Sequence, residues 1–107
     1  MAFPEHIEVE IPNDGAGNAI VGEGDEVRVD QLFDKGYDYI RDAGAAFTAN
    51  LEGSVSRKNW TVIVSLAASA QGAIPVHYNF VRIDVPGGGG GALGATTECW
   101  ASGKSST

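Results

Sequence analysis

Few side chains in this sequence have types and spacings that suit catalysis or metal binding. His6 and His77 are its two histidines, and neither has a Cys, Asp or Glu at the spacing of a zinc site or a catalytic triad. His6 and Glu8 would share one strand face, where a weak surface metal contact is the alternative to a solvent-exposed pair. Cys99 is the single cysteine, so no internal disulfide or CxxC motif can form. We therefore predict no catalytic residue, no cofactor and no metal site, and we expect a protein that is not an enzyme.

Carboxylates are concentrated between residues 23 and 42. Oxygen-rich clusters can hold Ca²⁺, but the spacing here does not follow the calcium-loop pattern. A negative face for a basic partner and simple solvation are the other two interpretations. The residues concerned are Glu23, Asp25, Glu26, Asp30, Asp34, Asp38 and Asp42, of which the first three are candidates for a capsid or partner interface.

Length and charge limit the class of protein. A chain of 107 residues corresponds to one domain, and 43% apolar residues are enough for a modest core. Seven basic and fourteen acidic residues give a net charge of −7, which predicts neither a nucleic-acid nor a membrane partner. No apolar segment approaches the roughly 20 residues of a membrane helix, and no secretion signal is evident. We expect a soluble protein made in the cytoplasm.

The elements that would position these side chains are predicted to be strands. In "HIEVEIP", Ile7, Val9 and Ile11 alternate with Glu8 and Glu10, which is the period of a strand with one wet face. Similar short runs recur with turn signals about every 8 to 12 residues. This pattern predicts an all-β, single-domain antiparallel β-sandwich of about seven short strands, Ig-like or jelly-roll-like. One helical turn within "VDQLFDKGYDYI" is the only alternative to strand.

The strongest strand signal lies between residues 47 and 85. "AAFTANLEGS" and "NWTVIVSLAAS" are separated by a polar turn at residues 53–59, so we predict a hairpin. A change of phase between Phe80 and Val81 predicts a β-bulge. The residues that we expect in the core are Phe47, Leu51, Trp60, Val62, Val64, Tyr78 and Phe80.

Three segments are predicted along the chain. Residues 1–26 would form an N-terminal strand or arm, residues 27–102 the sandwich core, and residues 103–107 a flexible tail. The five glycines at residues 87–91 indicate either a flexible connection or a backbone that approaches a ligand or a neighbouring chain closely. The apolar row Ile7, Val9 and Ile11 could dock on a capsid groove or belong to an ordinary edge strand.

The stretch "LEGSVSRKNWTVIVSL" followed by "YNFVRIDV" resembles short β-sandwich proteins of tailed-phage virions, with a partial discoidin-like EGS, W and VR pattern. The resemblance covers residues 47–85. It implies a capsid decoration or cement protein in the virion, made in the host cytoplasm, with the major capsid protein or other virion proteins as partners. The resemblance leaves open whether the protein forms a homo-oligomer. The alternative function is a carbohydrate- or receptor-binding module on a head fibre or tail tip. Trp60 would then stack on a ligand instead of closing the core.

Overall fold

Antiparallel strands account for the regular structure of this chain. The computed structural model describes residues 3–105, and the predicted all-β class is confirmed there. No helix occurs within that range, so the suggested helical turn is wrong: residues 29–31 form a loop with a turn, and residues 32–40 form a strand. The strands are β1 (Phe3–Glu8), β2 (Asn18–Ala19), β3 (Gly22–Glu23), β4 (Val27–Arg28), β5 (Leu32–Ile40), β6 (Asn50–Ser54), β7 (Thr61–Ser65), β8 (Ala70–Ala73), β9 (Phe80–Val85), β10 (Gly91–Ala92) and β11 (Glu98–Ser105).

Two sheets form the sandwich. Sheet I has the strand order β1-β11-β5-β8, and sheet II has the order β3-β9-β6-β7, with β4 also paired to β9. A small β2–β10 pair is separate from both. One hydrophobic core contains residues of both sheets, because side chains alternate across each strand and the apolar set of each sheet faces the other. Its largest fully buried members are Tyr39, Phe47, Leu51, Leu66 and Ile83.

Strand β9 shows how the sequence encodes this arrangement. Val81, Ile83 and Val85 are buried, whereas Phe80, Arg82 and Asp84 are partly exposed. Tyr78 and Phe80, which we expected in the core, are only half-buried. The change of phase marks the beginning of the strand at Phe80 and is not a bulge. A turn precedes it, in which the Tyr78 N–H donates to the Pro75 carbonyl at 3.1 Å.

The predicted hairpin is present, and a β-bulge lies in its second strand, β7, instead of near Phe80. Strands β6 and β7 pair antiparallel, and the register shifts between Leu51 and Glu52 so that Ile63 is the extra residue. A bulge brings neighbouring side chains toward one face, and both Ile63 and Val64 pack partly against the core. Val62 is therefore turned outward and is 51% exposed, so its assignment to the core is wrong. Phe47 and Leu51 are buried as predicted.

The first 26 residues do not form a separate arm. Strand β1 pairs along its length with β11, and Val9 and Ile11 are buried in the common core. The predicted tail is also partly strand, since residues 103–105 end β11, and residues 106 and 107 lie outside the described part. Four of the described strands have only two residues, which is why the expected number of about seven was too low.

The glycine run makes a close backbone approach within the chain. Thr48 N–H donates to the Gly89 carbonyl at 2.9 Å, and Ala46 N–H donates to the Ala92 carbonyl at 2.8 Å. A Cβ on Gly89 would lie 2.5 Å from the Thr48 hydroxyl oxygen, and one on Gly91 would overlap the Ala46 carbonyl oxygen. Side chains at these two positions would push the neighbouring segment away. The interpretation as a merely flexible connection is therefore wrong at Gly89 and Gly91.

Candidate docking surface around Trp100

A row of four side chains crosses the outer face of sheet I. Glu8 of β1 is the register partner of Trp100 of β11, Trp100 is the partner of Asp38 of β5, and Asp38 is the partner of Gln71 of β8. Side chains directly opposite each other in neighbouring strands point to the same face. Cys99 and Ala101 are buried, so Trp100 between them points outward. The four strands therefore place an indole ring between two carboxylates.

The surface around this row is a shallow depression. His6, Asp38, Glu98 and Trp100 line a volume of about 340 Å³. The Gln71 amide nitrogen donates to an Asp38 carboxylate oxygen at 3.3 Å, which orients that carboxylate beside the ring. We use the name Trp100 surface for the side chains of His6, Glu8, Asp38, Gln71, Glu98 and Trp100. It is half-buried at Trp100 and exposed at its rim.

The chemistry of the Trp100 surface suits a cationic group or a sugar. The face of an indole attracts an ammonium or guanidinium group, and the neighbouring carboxylates of Glu8, Asp38 and Glu98 add to that attraction. A pyranose ring can stack on the same indole while the Asp38 carboxylate and the Gln71 amide accept and donate hydrogen bonds. A volume of about 340 Å³ admits one such group.

The ring of the other tryptophan, Trp60, is covered on one face by an arginine side chain. The guanidinium carbon of Arg82 lies 4.0 Å from the centroid of its ring. Arg82 Nε also donates to Glu52 Oε1 at 3.0 Å, and Arg82 Nη1 lies 3.2 Å from Glu23 Oε2. Trp60 is half-buried and lies outside the central core cluster, so its predicted core role is wrong. One face of its ring is covered by Arg82, so that face offers no stacking platform.

The predicted partner interface is not one surface. Val9 and Ile11 are buried, and Ile7 packs partly against the core, so the apolar row points inward. Glu23 and Glu26 are bound to arginines, the second through Arg57 Nε at 2.6 Å. Asp25 is exposed.

The remaining reactive groups are engaged in structure. Cys99 is buried, and desolvation, with a smaller contribution from Asp38, raises the pKa of its thiol to about 12. Burial also lowers the pKa of Lys35, whose Nζ donates to the Val76 carbonyl at 3.2 Å. Across residues 3–105, no three or more His, Cys, Asp or Glu side chains are arranged to hold a metal ion.

Sequence reasoning missed the Trp100 surface. The small apolar residues Cys99 and Ala101 on either side of Trp100 could have indicated an outward ring. Its neighbours Glu8 and Asp38 lie 92 and 62 residues away along the chain, and only the strand register brings them together.

Comparisons with protein families, with curated proteins and with solved structures found no match to this chain. The resemblance to virion proteins therefore stays a prediction. Residues 3–105 contain no helix long and apolar enough to cross a membrane.

Proposed function

We propose that this protein is a non-enzymatic structural component of a tailed-phage virion that decorates and cements the head by bridging major-capsid subunits. The observation that carries the proposal is the Trp100 surface, an indole flanked by two carboxylates on an exposed sheet face. Protein interfaces concentrate binding free energy at Trp residues near their centres. An acidic rim favours a basic partner surface and orients it.

The mechanism is passive. A contact that forms only on the assembled lattice stabilises the lattice by mass action. Repetition over many copies multiplies a small free energy per contact. Sheet I suits this role because β11 lies between β1 and β5, so its central strand is fixed on both sides and holds Trp100 in place.

Co-sedimentation with heads that lack the protein tests the proposal. Wild-type protein is expected to bind, and Trp100→Ala and Glu8→Lys are expected to lose binding, because the first removes the ring and the second reverses one flanking charge. Trp60→Ala is the matched control, since it removes the tryptophan whose ring face Arg82 covers. Imaging of particles with and without the protein should show a difference in the capsid shell. A difference only in the tail, or equal binding by the Trp100→Ala variant, would contradict the proposal.

A second candidate function is carbohydrate or receptor binding at a head fibre or tail tip. The specific observation in its favour is that Trp100 lies in a depression with an amide and carboxylates beside it. Salt separates the two functions, because a docking contact made by charges weakens as ionic strength rises, whereas stacking of a neutral sugar does not. Titration of host-surface oligosaccharides, followed by tryptophan fluorescence, should give salt-independent binding if this second function holds.

A further inference from the structure

Lys35 is a buried lysine on the inward face of sheet I. Along β5 it alternates with Tyr37, which packs partly against the core, and with Tyr39, which is buried in it. Only 7% of Lys35 is exposed to solvent, and lysines are seldom buried to this extent unless an anion pairs with them. The charge of Lys35 therefore needs a compensating group.

A β-bulge in β5 turns this side chain inward. The register between β5 and β11 shifts between Ser102 and Lys104. Asp34 and Lys35 consequently lie together opposite the single residue Gly103. Asp34 has a φ of 51°, in the left-handed region that Asp tolerates better than most residues do. Bulges change the direction of side chains and are frequent beside functional sites.

The protein compensates the charge of Lys35 only in part. Lys35 Nζ donates to the Val76 carbonyl at 3.2 Å. An ammonium group has three N–H donors, and within residues 3–105 this one makes no other hydrogen bond and no ion pair. Burial lowers the pKa of Lys35, and the charge of Asp30 opposes that shift only in part. Two N–H donors are therefore unused within the described part of the chain.

A pocket of about 470 Å³ lies beside this group, between the beginning of β5 and the segment that follows β8. Lys35 and Val76, which share the hydrogen bond, both line the pocket, so the ammonium group lies at its wall. The Ile74 N–H donates to the Lys35 carbonyl at 3.0 Å and holds the two segments together. A volume of this size is in the range of small-molecule sites.

Most of the pocket wall is apolar. The apolar residues that line it are Leu32, Phe33, Ala73, Ile74 and Val76. Phe33 is 57% exposed and Val76 is 87% exposed, so a ligand that covered them would gain free energy from the burial of apolar surface. The carboxylate of Asp34, which also lines the pocket, lies 3.9 Å from Lys104 Nζ. We use the name Lys35 pocket for these apolar residues together with Asp34 and Lys35.

We infer that the Lys35 pocket binds a small organic carboxylate with an aliphatic body. The carboxylate accepts hydrogen bonds from Lys35 Nζ, and the aliphatic body covers Phe33 and Val76. One cation among apolar walls complements one carboxylate group, whereas a phosphate carries more charge and requires more donors. The net charge of −7 gives no long-range attraction for anions, so the affinity comes from contacts inside the pocket. The inference does not depend on the virion role.

Octanoate is the probe for the Lys35 pocket, and octanol, which has the same chain length and no charge, is its matched control. In heteronuclear NMR titrations, octanoate should shift the amide signals of residues 32–35 and 73–76. Lys35→Met keeps an unbranched apolar side chain of similar volume and removes the charge, so the fold should be retained. We expect this variant to bind octanoate at least about tenfold more weakly than the wild-type protein. Octanol should bind both proteins equally.

A second pair of variants leaves Lys35 in place. Val76→Asp adds a negative charge to the pocket wall and should weaken octanoate binding by about tenfold. Val55→Asp, the same change in the turn between β6 and β7, should not, and both valines are exposed, so both variants should fold. Circular dichroism and thermal unfolding verify this for every variant.

Three results would overturn the inference. They are no binding of octanoate by wild-type protein up to about 10 mM, signal shifts only outside the Lys35 pocket, and equal affinities of the wild-type and Lys35→Met proteins. None of these results bears on binding to heads, because that contact is assigned to the Trp100 surface.

Discussion

The guanidinium group of Arg82 stacks 4.0 Å from the centroid of the Trp60 ring while it binds the carboxylates of Glu52 and Glu23. The ring therefore stabilises an ionic cluster on the outer face of sheet II. Arg57 repeats the arrangement nearby, with its guanidinium carbon 5.3 Å from the Phe80 ring and its Nε bound to Glu26.

Trp60→Ala should reduce the free energy of unfolding by about 2 kcal/mol, from lost partial burial and the lost cation–π contact. A ring buried in the core would cost about 3 to 5 kcal/mol. Trp60→Phe keeps an aromatic face for Arg82 and should recover part of the loss. Urea denaturation measures both. A loss within the core range would mean that Trp60 packs more deeply than its half-buried position indicates.

Arg41→Ala should lower the free energy of unfolding by about 2 to 3 kcal/mol. Arg41 donates to the Phe47 carbonyl at 2.7 Å and to the Leu66 carbonyl at 3.1 Å, so its removal leaves two partly buried acceptors without this donor. Arg28→Ala is the control. Arg28 forms an ion pair with Asp30, but its side chain is 73% exposed, and exposed ion pairs contribute little to stability. Equal losses of unfolding free energy for the two variants in chemical denaturation would refute the stabilising role of Arg41.

Cys99 should resist thiol reagents in the folded protein. Burial raises the pKa of its thiol to about 12, so little thiolate is present at neutral pH and the sulfur is inaccessible. A chromogenic disulfide reagent should react at once in guanidinium chloride and only as fast as the protein unfolds in buffer. Because the pKa is raised in the folded state, this group favours unfolding progressively as pH rises above 9. Rapid reaction of native protein at neutral pH would show that the strand opens locally.

The protein should lose stability in acid partly through Asp42. The Gly44 N–H, at 2.7 Å, and the Thr96 hydroxyl, at 2.8 Å, donate to this carboxylate and lower its pKa below 3.8. A lowered folded-state pKa contributes stability that is present above the unfolded value and is lost as pH falls through the folded value. Asp42→Asn should therefore flatten the dependence of the urea midpoint on pH as the pH falls below 3.8. An unchanged slope would exclude this carboxylate as a contributor.

Local patterns in the sequence were sufficient to predict the fold class and most of the longer strands. Strand β9 alternates cleanly through Val81, Ile83 and Val85, so its inward face is visible from the sequence. The position of Val62 was not predictable in this way, because the bulge in β7 is a property of its pairing with β6.

The candidate site was not predictable from spacing. Trp100, Glu8 and Asp38 belong to three strands that are far apart in the sequence, and a shift of one residue in either register would place the carboxylates on the opposite face. The two histidines and the acidic stretch are recognisable in the sequence because the chemistry of each residue does not depend on its neighbours in the fold. The Trp100 surface exists only when the sheet is assembled.

The position of β11 has a consequence for biosynthesis. This strand lies between β1 and β5, yet it follows both of them in the sequence. Sheet I therefore cannot close while residues 98–105 are still inside the ribosome, and the emerging chain must wait with the edges of β1 and β5 unpaired. Pairing between segments so distant in sequence is slow, so the nascent chain exposes unpaired strand edges, which favour association with other chains, until β11 has emerged.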